Sequence, residues 1–530
     1  MRIIEDPERI GASYGAYLRD ESKLAGEAPK RILFPEGTAE VVEAVRGIRG
    51  RGEGLTVSGA RTGIVGGAVP SGAANLVSLE KLAIPAAAGA GFEGARTIRV
   101  GAGLTLAALA ELLRGGLAGI EPGSLVYPVD PTEATASVGG SIATNASGAR
   151  TFRYGPTRSW VAGITVVLPD GSVARLRRRG PAPLPAWRGP AAEARGTGEA
   201  SLDFEAVSPS GDSRRIRFDL PALRMPSTKH AAGYWLAPGM DPVDLFIGGE
   251  GTLGIVVEAE LVLCPTPRSV ASLCVFLPAG FPDGKLSALL ADVKAVRSAP
   301  LLSIESMDAG SIRLLSEFRE QAGESSHVPP IPAGCSGALF LEAECGTDGG
   351  LEAFLEEIQA VLADQGIPAD AAWAALDDRE LASMKAFRHA LPERINSIIG
   401  MRKLRHPGLT KVAADLAVPD GALSAMLDLY RSTLEGRGLE SALFGHIGNA
   451  HVHVNVLPRD ETEMKSGREA CALFAREAVR LGGSVSGEHG IGRLKKYLLD
   501  IQFSPEELAG MKRVKATLDP EGALNPGVLW

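Results

Sequence analysis

The segment Phe444–Asn455 constrains the fold more than any other part of the chain, because it places three of the eight histidines in a strand-like pattern. Side chains of a strand point to opposite faces in turn, so His451, His453 and Asn455 share one face while valines occupy the other. The pattern predicts a strand with one face for packing and one face for chemistry.

A second strand is predicted directly before this one, over Ser441–His446, with Gly448 and Asn449 as turn residues between the two. If the turn is centred after Asn449, His446 lies directly across from His453. Opposed side chains on paired strands have Cβ atoms about 4.5 to 5.5 Å apart. Two imidazoles at that separation can share one metal ion.

A third ligand follows in the glycine-rich segment Ser484–Gly492, where Glu488 precedes a predicted helix over Arg493–Ile501. Two histidines and one glutamate, with one coordination position left open, are typical of a catalytic zinc site. His489 lies near the positive end of the predicted helix dipole, which favours a neutral imidazole able to accept a proton. His489 is therefore a candidate general base, although any one of these histidines could instead simply fill a polar sheet face.

Length and composition narrow the class of protein. At 530 residues the chain is too long for one core and is expected to form two large domains. Its 63 acidic and 55 basic residues include no basic tract that would follow a phosphate backbone, which argues against nucleic acid as a partner. The five cysteines form no Cys-x-x-Cys pair, and the sequence shows neither a signal peptide nor an apolar run of about 18 residues. We expect a cytoplasmic protein, with peripheral contact at the inner membrane face left open.

Two glycine-rich stretches in the first half are candidates for binding a nucleotide cofactor. Ser58–Gly67 contains four glycines after a predicted strand. Its backbone N–H groups could bind a pyrophosphate, although an ordinary glycine-rich turn explains the stretch equally well. Ala136–Gly148 combines small residues with hydroxyl and amide groups that could meet the edges of a flat ligand such as a flavin. Thr97–Leu109 begins like a dinucleotide fingerprint but lacks the third glycine, so no NAD site is predicted there.

The pattern changes near Pro265–Arg268, which predicts domains over 1–30, 31–265 and 266–530. The last domain is expected to be α+β, with helices on one face of a mainly antiparallel sheet. Arg388 and Lys411 precede the histidine segment there. Each could be an ordinary solvated charge, but a guanidinium near a metal is suited to binding a carboxylate. The other predictions are a helical arm over 1–30, a hairpin over Ile164–Val173, a surface loop over 176–200 and a glycine-broken strand pair over Asp244–Val257.

Together these motifs are similar to those of the FAD-linked oxidoreductases of the vanillyl-alcohol oxidase and p-cresol methylhydroxylase type. Gly248–Ile255, Gly445–Gly448 and Ser486–Gly492 carry the resemblance, which extends over nearly the whole chain. The chain most resembles the D-2-hydroxyacid dehydrogenase branch, which includes D-lactate dehydrogenases, D-2-hydroxyglutarate dehydrogenases and the glycolate oxidase flavin subunit. The resemblance implies an α+β fold, with a two-part FAD-binding domain of the p-cresol methylhydroxylase type followed by a substrate domain with an antiparallel sheet and helices.

The resemblance also implies a set of site residues. The ligands of a divalent metal, with zinc as the expected ion, would be His446, His453 and Glu488. The catalytic residues would be His489 as the base, Asn455 beside the substrate, and Arg388 and Lys411 at its carboxylate. Noncovalent FAD would be bound by Ser58, Gly59, Ala60, Arg61, Thr62, Gly63, Gly66, Gly67, Pro131, Thr132, Ser137, Gly139, Gly140, Ser141, Thr144, Asn145, Gly148, Glu250, Gly251, Gly254, Ile255 and Asn525.

Three positions depart from the family pattern. The usual triple glycine of the pyrophosphate loop is Gly59-Ala-Arg61 here, so Arg61 could add a charged phosphate contact or block the usual path. His451 stands where many members have asparagine, so it could be an extra metal ligand or donate a hydrogen bond to a ligand. Pro392 replaces a hydroxyl residue often found four positions after the arginine, which weakens any prediction about the far end of the substrate.

The implied reaction is oxidation of a D-2-hydroxy acid, D-lactate first, to the 2-oxo acid by hydride transfer to the flavin with help from the metal. D-2-hydroxyglutarate and glycolate are the alternative substrates. The electron acceptor would be a quinone, a cytochrome or an electron-transferring flavoprotein, and a homodimer is left open. Two other classes stay open: a non-redox FAD enzyme similar to the alkylglycerone-phosphate synthases, and a metal-binding protein without a redox cofactor.

Overall fold

The computed structural model describes residues 1–71, 74–82, 84–180, 201–346 and 349–530. These residues form two compact units. The first unit consists of Met1–Gly148, Tyr154–Thr266 and Glu488–Trp530, and the second consists of Ala149–Arg153 and Pro267–Gly487.

The change of unit after Thr266 falls where the sequence pattern changes. The segment Glu488–Trp530 differs from the predicted division, because it belongs to the first unit. Its backbone explains why: the N–H group of Leu55 donates to the carbonyl of Ala523, 2.9 Å away, and so ties the end of the chain to a strand of the first unit.

The strands, in chain order, are β1 Arg2–Ile4, β2 Ile32–Phe34, β3 Leu55–Ser58, β4 Asn75–Ser78, β5 Ala87–Ala90, β6 Arg96–Gly101, β7 Leu125–Val126, β8 Val161–Val167, β9 Val173–Arg177, β10 Ser201–Val207, β11 Ser213–Asp219, β12 Ile255–Val262, β13 Cys264–Pro265, β14 Val270–Leu277, β15 Leu301–Met307, β16 Gly337–Glu344, β17 Ala372–Ala375, β18 Val412–Ala417, β19 Ser441–Gly445 and β20 His451–Val456. The α-helices are α1 Pro7–Ser13, α2 Thr38–Arg49, α3 Leu106–Gly115, α4 Val138–Thr144, α5 Thr151–Tyr154, α6 Pro242–Phe246, α7 Asp283–Ala295, α8 Ala309–Ala322, α9 Gly350–Asp364, α10 Asp378–Lys403, α11 Leu423–Gly436, α12 Glu461–Arg480, α13 Leu499–Gln502 and α14 Pro505–Leu518. Within these described elements, none of the helices combines the length and apolar character needed to cross a membrane.

The first unit contains two large sheets. The four-stranded sheet, in the order β1-β2-β4-β3, joins one antiparallel pair to two parallel pairs. The seven-stranded sheet, in the order β11-β10-β9-β8-β12-β6-β5, is antiparallel. Because β6 pairs antiparallel with both of its neighbours, Thr97–Leu109 is not part of the parallel strand–helix–strand unit on which a dinucleotide fingerprint depends.

The amino-terminal arm is only partly helical, which corrects the predicted helical arm over 1–30. It begins with β1, which pairs with β2, and α1 follows. Ile10 and Tyr14 are buried against Ile32 and Phe34 of the first sheet. Burying one such large side chain stabilises a fold by about 1.5 to 3 kcal/mol, so this segment packs as a part of the first unit.

Two further predictions for the first unit are wrong. The expected strand pair over Asp244–Val257 begins instead with α6, because Asp241 and Asp244 form a capping box around Pro242 at the start of the helix. The expected helix over Arg493–Ile501 is replaced by turns and irregular backbone up to Lys495, before a 3₁₀ turn and α13. The hairpin at Ile164–Val173 is confirmed by β8 and β9, and most of the predicted loop over 176–200 lies outside the described residues.

The second unit has one seven-stranded sheet, in the order β17-β14-β16-β15-β19-β20-β18, and its strand pairs are antiparallel. This confirms the α+β prediction of an antiparallel sheet with helices. Phe387 of α10 is fully buried against the sheet, with its ring centroid 5.5 Å from that of Phe340 and 6.4 Å from that of Phe276. The aromatic contacts hold α10 on the sheet and thereby fix the position of the next residue, Arg388.

Candidate active site and metal centre

The β19–β20 hairpin presents three histidines of the second unit, His446, His451 and His453. Its register pairs Phe444, not His446, with His453, so the predicted direct opposition of the two histidines is wrong. The reason is the turn: Ile447–Asn449 forms a 3₁₀ turn that begins after His446, which leaves His446 outside the strand. The two imidazoles still meet, with ring centroids 5.2 Å apart.

The predicted alternation along β20 is confirmed. His451 and Asn455 are buried on the face that also carries His453, and the intervening valines are buried on the other face. On the neighbouring strand β18, Asp415 pairs directly with His453. The polar face of β20 is therefore largely buried, so the side chains on it are shielded from water.

Two buried carboxylates lie behind the histidines, and sequence reasoning missed both. Glu305 of β15 holds its Oε1 atom 2.6 Å from Nδ1 of His446, and Asp415 holds its Oδ1 atom 2.9 Å from Nδ1 of His453. A ring nitrogen next to a carboxylate donates its hydrogen, so the Nε2 atoms keep the lone pair that a metal requires. The available signal was an acidic residue inside an apolar strand, since such residues are rarely buried unless they have a partner.

Arg388 is joined to the same cluster. Its Nη1 atom lies 3.8 Å from Oε2 of Glu305, and its side chain is half-buried. Pro392 lies one turn later inside α10 and has no N–H group, so the carbonyl of Arg388 lacks its usual helical partner. Lys411, the other predicted carboxylate-binding residue, is exposed and directly precedes β18. The structure therefore brings Arg388 to the histidine cluster, and the role of Lys411 stays a prediction.

Glu488 and His489, the remaining expected groups, belong to the first unit. The carboxylate of Glu488 accepts hydrogen bonds from the buried ammonium of Lys229 and from Oγ of Ser147, the latter at 2.8 Å. Oε2 of Glu488 lies 3.8 Å from Nε2 of His489. Lys229 and Ser147 were not predicted as site residues. Because no helix begins at Arg493, the helix-dipole argument for a neutral His489 has no support, and its role as a base rests on the resemblance alone.

The two predicted flavin-binding stretches lie together within the first unit. A Cβ atom added to Gly59 would lie 2.5 Å from Oγ of Ser137, so the glycine allows the loop to approach the beginning of α4. Likewise, a Cβ atom on Gly148 would lie 2.0 Å from the carbonyl oxygen of Asp130. Oγ of Ser141 is buried without a hydrogen-bond partner among the described residues. Close backbone and a polar atom that still needs a partner both fit a bound FAD.

Glu250 and Asn525, also predicted to bind FAD, hold the protein together. The carboxylate of Glu250 accepts hydrogen bonds from the backbone N–H groups of Ile491 and Gly492, at 2.8 and 2.7 Å. Asn525 donates to the carbonyl of Glu250 and accepts from the backbone of Val57. Burial raises the pKa of Glu250 to about 7, although the two N–H donors favour its charged form. Glu250 thus positions the segment that follows His489, and its contact with FAD stays a prediction.

Arg61, which departs from the family pattern in the predicted pyrophosphate loop, contacts neighbouring residues of the first unit. Its guanidinium lies 4.2 Å from the centroid of the Tyr17 ring and 3.4 Å from the carboxylate of Glu80. It also donates to the carbonyl of Gly59 at 3.2 Å. These contacts hold the guanidinium on the amino-terminal arm, so the structure favours neither a phosphate contact nor a blocked path.

Comparisons with known proteins give the class to which this arrangement belongs. Residues 29–177 match the model of an FAD binding domain, and residues 275–529 match the model of the C-terminal domain of FAD linked oxidases. The chain is thus an FAD-binding protein of the FAD-linked oxidase type. Among solved structures it is similar to an alkyldihydroxyacetonephosphate synthase, with a TM-score of 0.61 over 99% of this chain and 82% of that one. At 14% identity that likeness shows the fold alone.

The curated relatives narrow the class. A D-2-hydroxyglutarate dehydrogenase from Xanthomonas citri pv. viticola is 30% identical over 97% of this chain and 92% of its own length. A D-lactate dehydrogenase from Anaerostipes hadrus is 28% identical over 96% and 92%, and a glycolate oxidase subunit GlcD from Bacillus subtilis is 25% identical over 78% and 72%. This chain belongs to the FAD-dependent D-2-hydroxyacid dehydrogenase family, oxidoreductases that act on CH–OH groups.

Proposed function

We propose that this chain oxidises a D-2-hydroxy acid with a short side chain, D-lactate first, to the 2-oxo acid, using FAD and a divalent metal. The observation that carries the proposal is the second unit's cluster, in which the imidazole of His446 and the guanidinium of Arg388 share the buried carboxylate of Glu305. When bound, the flavin would accept a hydride from C2 while the metal, held by His446, His453 and Glu488, would acidify the hydroxyl group.

The chain's own residues supply the other parts of the reaction. Arg388 and Lys411 would bind the substrate carboxylate and so orient C2. His489 would accept the hydroxyl proton on an imidazole nitrogen, which completes the removal of a hydride and a proton from the alcohol. Asn455, buried on the ligand face of β20, would hydrogen bond a substrate oxygen. The electrons would then leave for a quinone, a cytochrome or an electron-transferring flavoprotein.

Pro392 favours a short substrate. It lies four residues after Arg388 on α10, so both side chains are on one helix face. A proline side chain offers no hydrogen-bond donor to a second carboxylate. This argument favours D-lactate over D-2-hydroxyglutarate, although relatives named for D-2-hydroxyglutarate, D-lactate and glycolate all resemble the chain. D-2-hydroxyglutarate and glycolate are the second candidates.

The test is the visible spectrum of the purified protein under anaerobic conditions, before and after addition of D- and L-lactate, D- and L-2-hydroxyglutarate, and glycolate. We expect a flavin band that D-lactate bleaches fastest and L-lactate leaves unchanged. Faster bleaching by D-2-hydroxyglutarate would contradict the substrate assignment. A flavin band that none of the acids bleaches would contradict the reaction and favour a non-redox FAD enzyme.

Matched variants test the residue roles. Arg388→Met should raise the substrate concentration needed for half-maximal bleaching, whereas Arg379→Met, an exposed arginine on the same helix, should not. His489→Gln should slow bleaching while FAD stays bound. Exhaustive chelation should abolish bleaching and added zinc should restore it. Full activity after chelation would contradict the metal's role.

A further inference from the structure

The second unit contains three imidazoles, not two, in one cluster. The ring centroids of His446 and His453 are 5.2 Å apart, those of His446 and His451 are 5.4 Å apart, and those of His451 and His453 are 4.7 Å apart. His451 is fully buried. Its ligand atom, with those of His453 and Asp415, forms a set whose members all lie within 4.8 Å of one another.

These separations match those of three imidazoles around one tetrahedral ion. A zinc–nitrogen bond is about 2.05 Å, and the centroid of the ring lies about 1.1 Å beyond the nitrogen, so each centroid is about 3.2 Å from the metal. Tetrahedral angles then place the centroids about 5.2 Å apart. The three observed distances are all within about half an ångström of that value. The ligand atoms of His446 and His451 do not share one close set, so the rings would rotate about their side-chain bonds to direct three nitrogens to one ion.

The surroundings of the cluster are built to hold these rings. Glu305 and Asp415 fix the Nδ1 atoms of His446 and His453, which leaves Nε2 of each ring as the ligand atom. Gly487 makes room for the third ring, because a Cβ atom there would lie 3.0 Å from Nε2 of His451. The backbone N–H group of Gly487 donates to the carbonyl of Asp415 at 2.7 Å, which holds the glycine in that place.

We propose that His451 is a direct ligand of the metal, so that the second unit by itself supplies a three-histidine set. The proposal rests on the proposed divalent metal, but not on the identity of the hydroxy acid. Asp415 then acts as a positioning residue for His453 and not as a ligand. Imidazole ligands favour Zn²⁺ or Co²⁺ over Mg²⁺ and Mn²⁺, which prefer oxygen ligands.

The deciding measurement is zinc K-edge X-ray absorption on the full-length protein with FAD bound, because multiple scattering from the rings counts the bound imidazoles. We expect three imidazoles in the natural protein and two in His451→Asn. Two imidazoles in the natural protein, or no tightly bound zinc, would overturn the proposal. The natural protein alone gives this result, so the test does not depend on the variant folding.

Affinity provides the second measurement. After removal of the metal, Co²⁺ is titrated into the natural protein, His451→Asn, and the exposed control His327→Asn. Loss of a residue that only orients a ligand weakens binding roughly 10- to 100-fold, so loss of a ligand should weaken it by more than about 100-fold and change the Co²⁺ spectrum. An unchanged spectrum and affinity in His451→Asn would overturn the proposal. Flavin bleaching is recorded separately, so failure of the proposed reaction is distinguishable from failure of this ligand assignment.

Discussion

Each unit of the molecule buries a charged cluster, and the two clusters differ in what their carboxylates bind. In the first unit, Asp244 is clamped by two guanidinium groups, with Arg178 at 2.6 and 2.8 Å and Arg158 at 3.0 Å. In the second unit, Glu305 and Asp415 each bind an imidazole. A guanidinium has no lone pair and keeps its charge, whereas an imidazole held at one nitrogen offers the other to a ligand.

From this difference we expect a structural role for the first cluster and a metal-binding role for the second. Burial alone would raise the pKa of Asp244, but the hydrogen bonds and charges of Arg178 and Arg158 outweigh burial and lower the pKa. That cluster is satisfied within the fold. In the second cluster each carboxylate meets an imidazole, a type of group that can bind a metal ion through its second nitrogen. The groups that a buried carboxylate contacts therefore indicate which of the two roles to expect.

The largest expected effect concerns the first cluster. Asp244→Asn should lower the free energy of unfolding by about 3 to 5 kcal/mol, because it leaves two guanidinium groups buried without their carboxylate. Urea denaturation measures the change, with Asp219→Asn, an exposed residue of β11, as the control. An unchanged midpoint would contradict the structural role and remove the contrast between the clusters.

A second prediction uses pH to compare two carboxylates of the first unit. The pKa of Glu250 is raised to about 7 in the folded state, from 4.5, so its contribution to stability is complete below about pH 4.5 and is lost as the pH rises through 7. The expected loss is about 3 kcal/mol. The pKa of Asp244 is lowered instead, so its contribution to stability depends on pH in the opposite direction. That contribution is lost as the pH falls below the unfolded pKa of 3.8.

Unfolding free energies of the natural protein and of Glu250→Gln, measured between pH 4 and 8, test this prediction. The natural protein should lose stability toward higher pH, and the variant should show a flatter profile. Parallel profiles for the two proteins would show that Glu250 does not titrate in this range.

The third prediction concerns the second cluster. Glu305→Gln and Asp415→Asn should each weaken metal binding roughly 10- to 100-fold, because the carboxylates fix the rings of His446 and His453. Calorimetric titration with Zn²⁺ measures the affinity. The metal-free variants should lose less stability than Asp244→Asn, since a neutral imidazole can remain buried where an unpaired guanidinium cannot. Equal losses of stability would show that the two clusters are alike.

The smallest effect is expected at Arg61. Arg61→Gly should change the affinity for FAD by less than about tenfold, because the guanidinium already contacts Tyr17 and Glu80, and an ion pair near the surface contributes about 1 kcal/mol or less. Fluorescence titration of the flavin-free protein with FAD measures the change. A loss of more than about 100-fold would show that Arg61 contacts the pyrophosphate.

The sequence by itself determined the local elements and the identity of the reactive groups. Alternation predicted the two faces of β20, and the Pro-Asp-Gly turn predicted the β8–β9 hairpin, because a period of two residues and a tight turn are properties of a few neighbouring residues. The family motifs pointed to the FAD-linked dehydrogenases. Helix ends near glycines were predicted less accurately, as the irregular backbone at Arg493 shows.

Only the tertiary structure decided which groups act together. Glu305 is separated from His446 by more than a hundred residues, and Asp415 meets His453 because β18 and β20 are adjacent in the sheet. Nothing in a local pattern encodes that adjacency. The contact of Lys229 with Glu488, and the hydrogen bond from Leu55 of β3 to Ala523, likewise join residues that are far apart in the sequence. Side-chain periodicity is set by each strand, but the partners of a buried charge are set by how distant strands and segments pack.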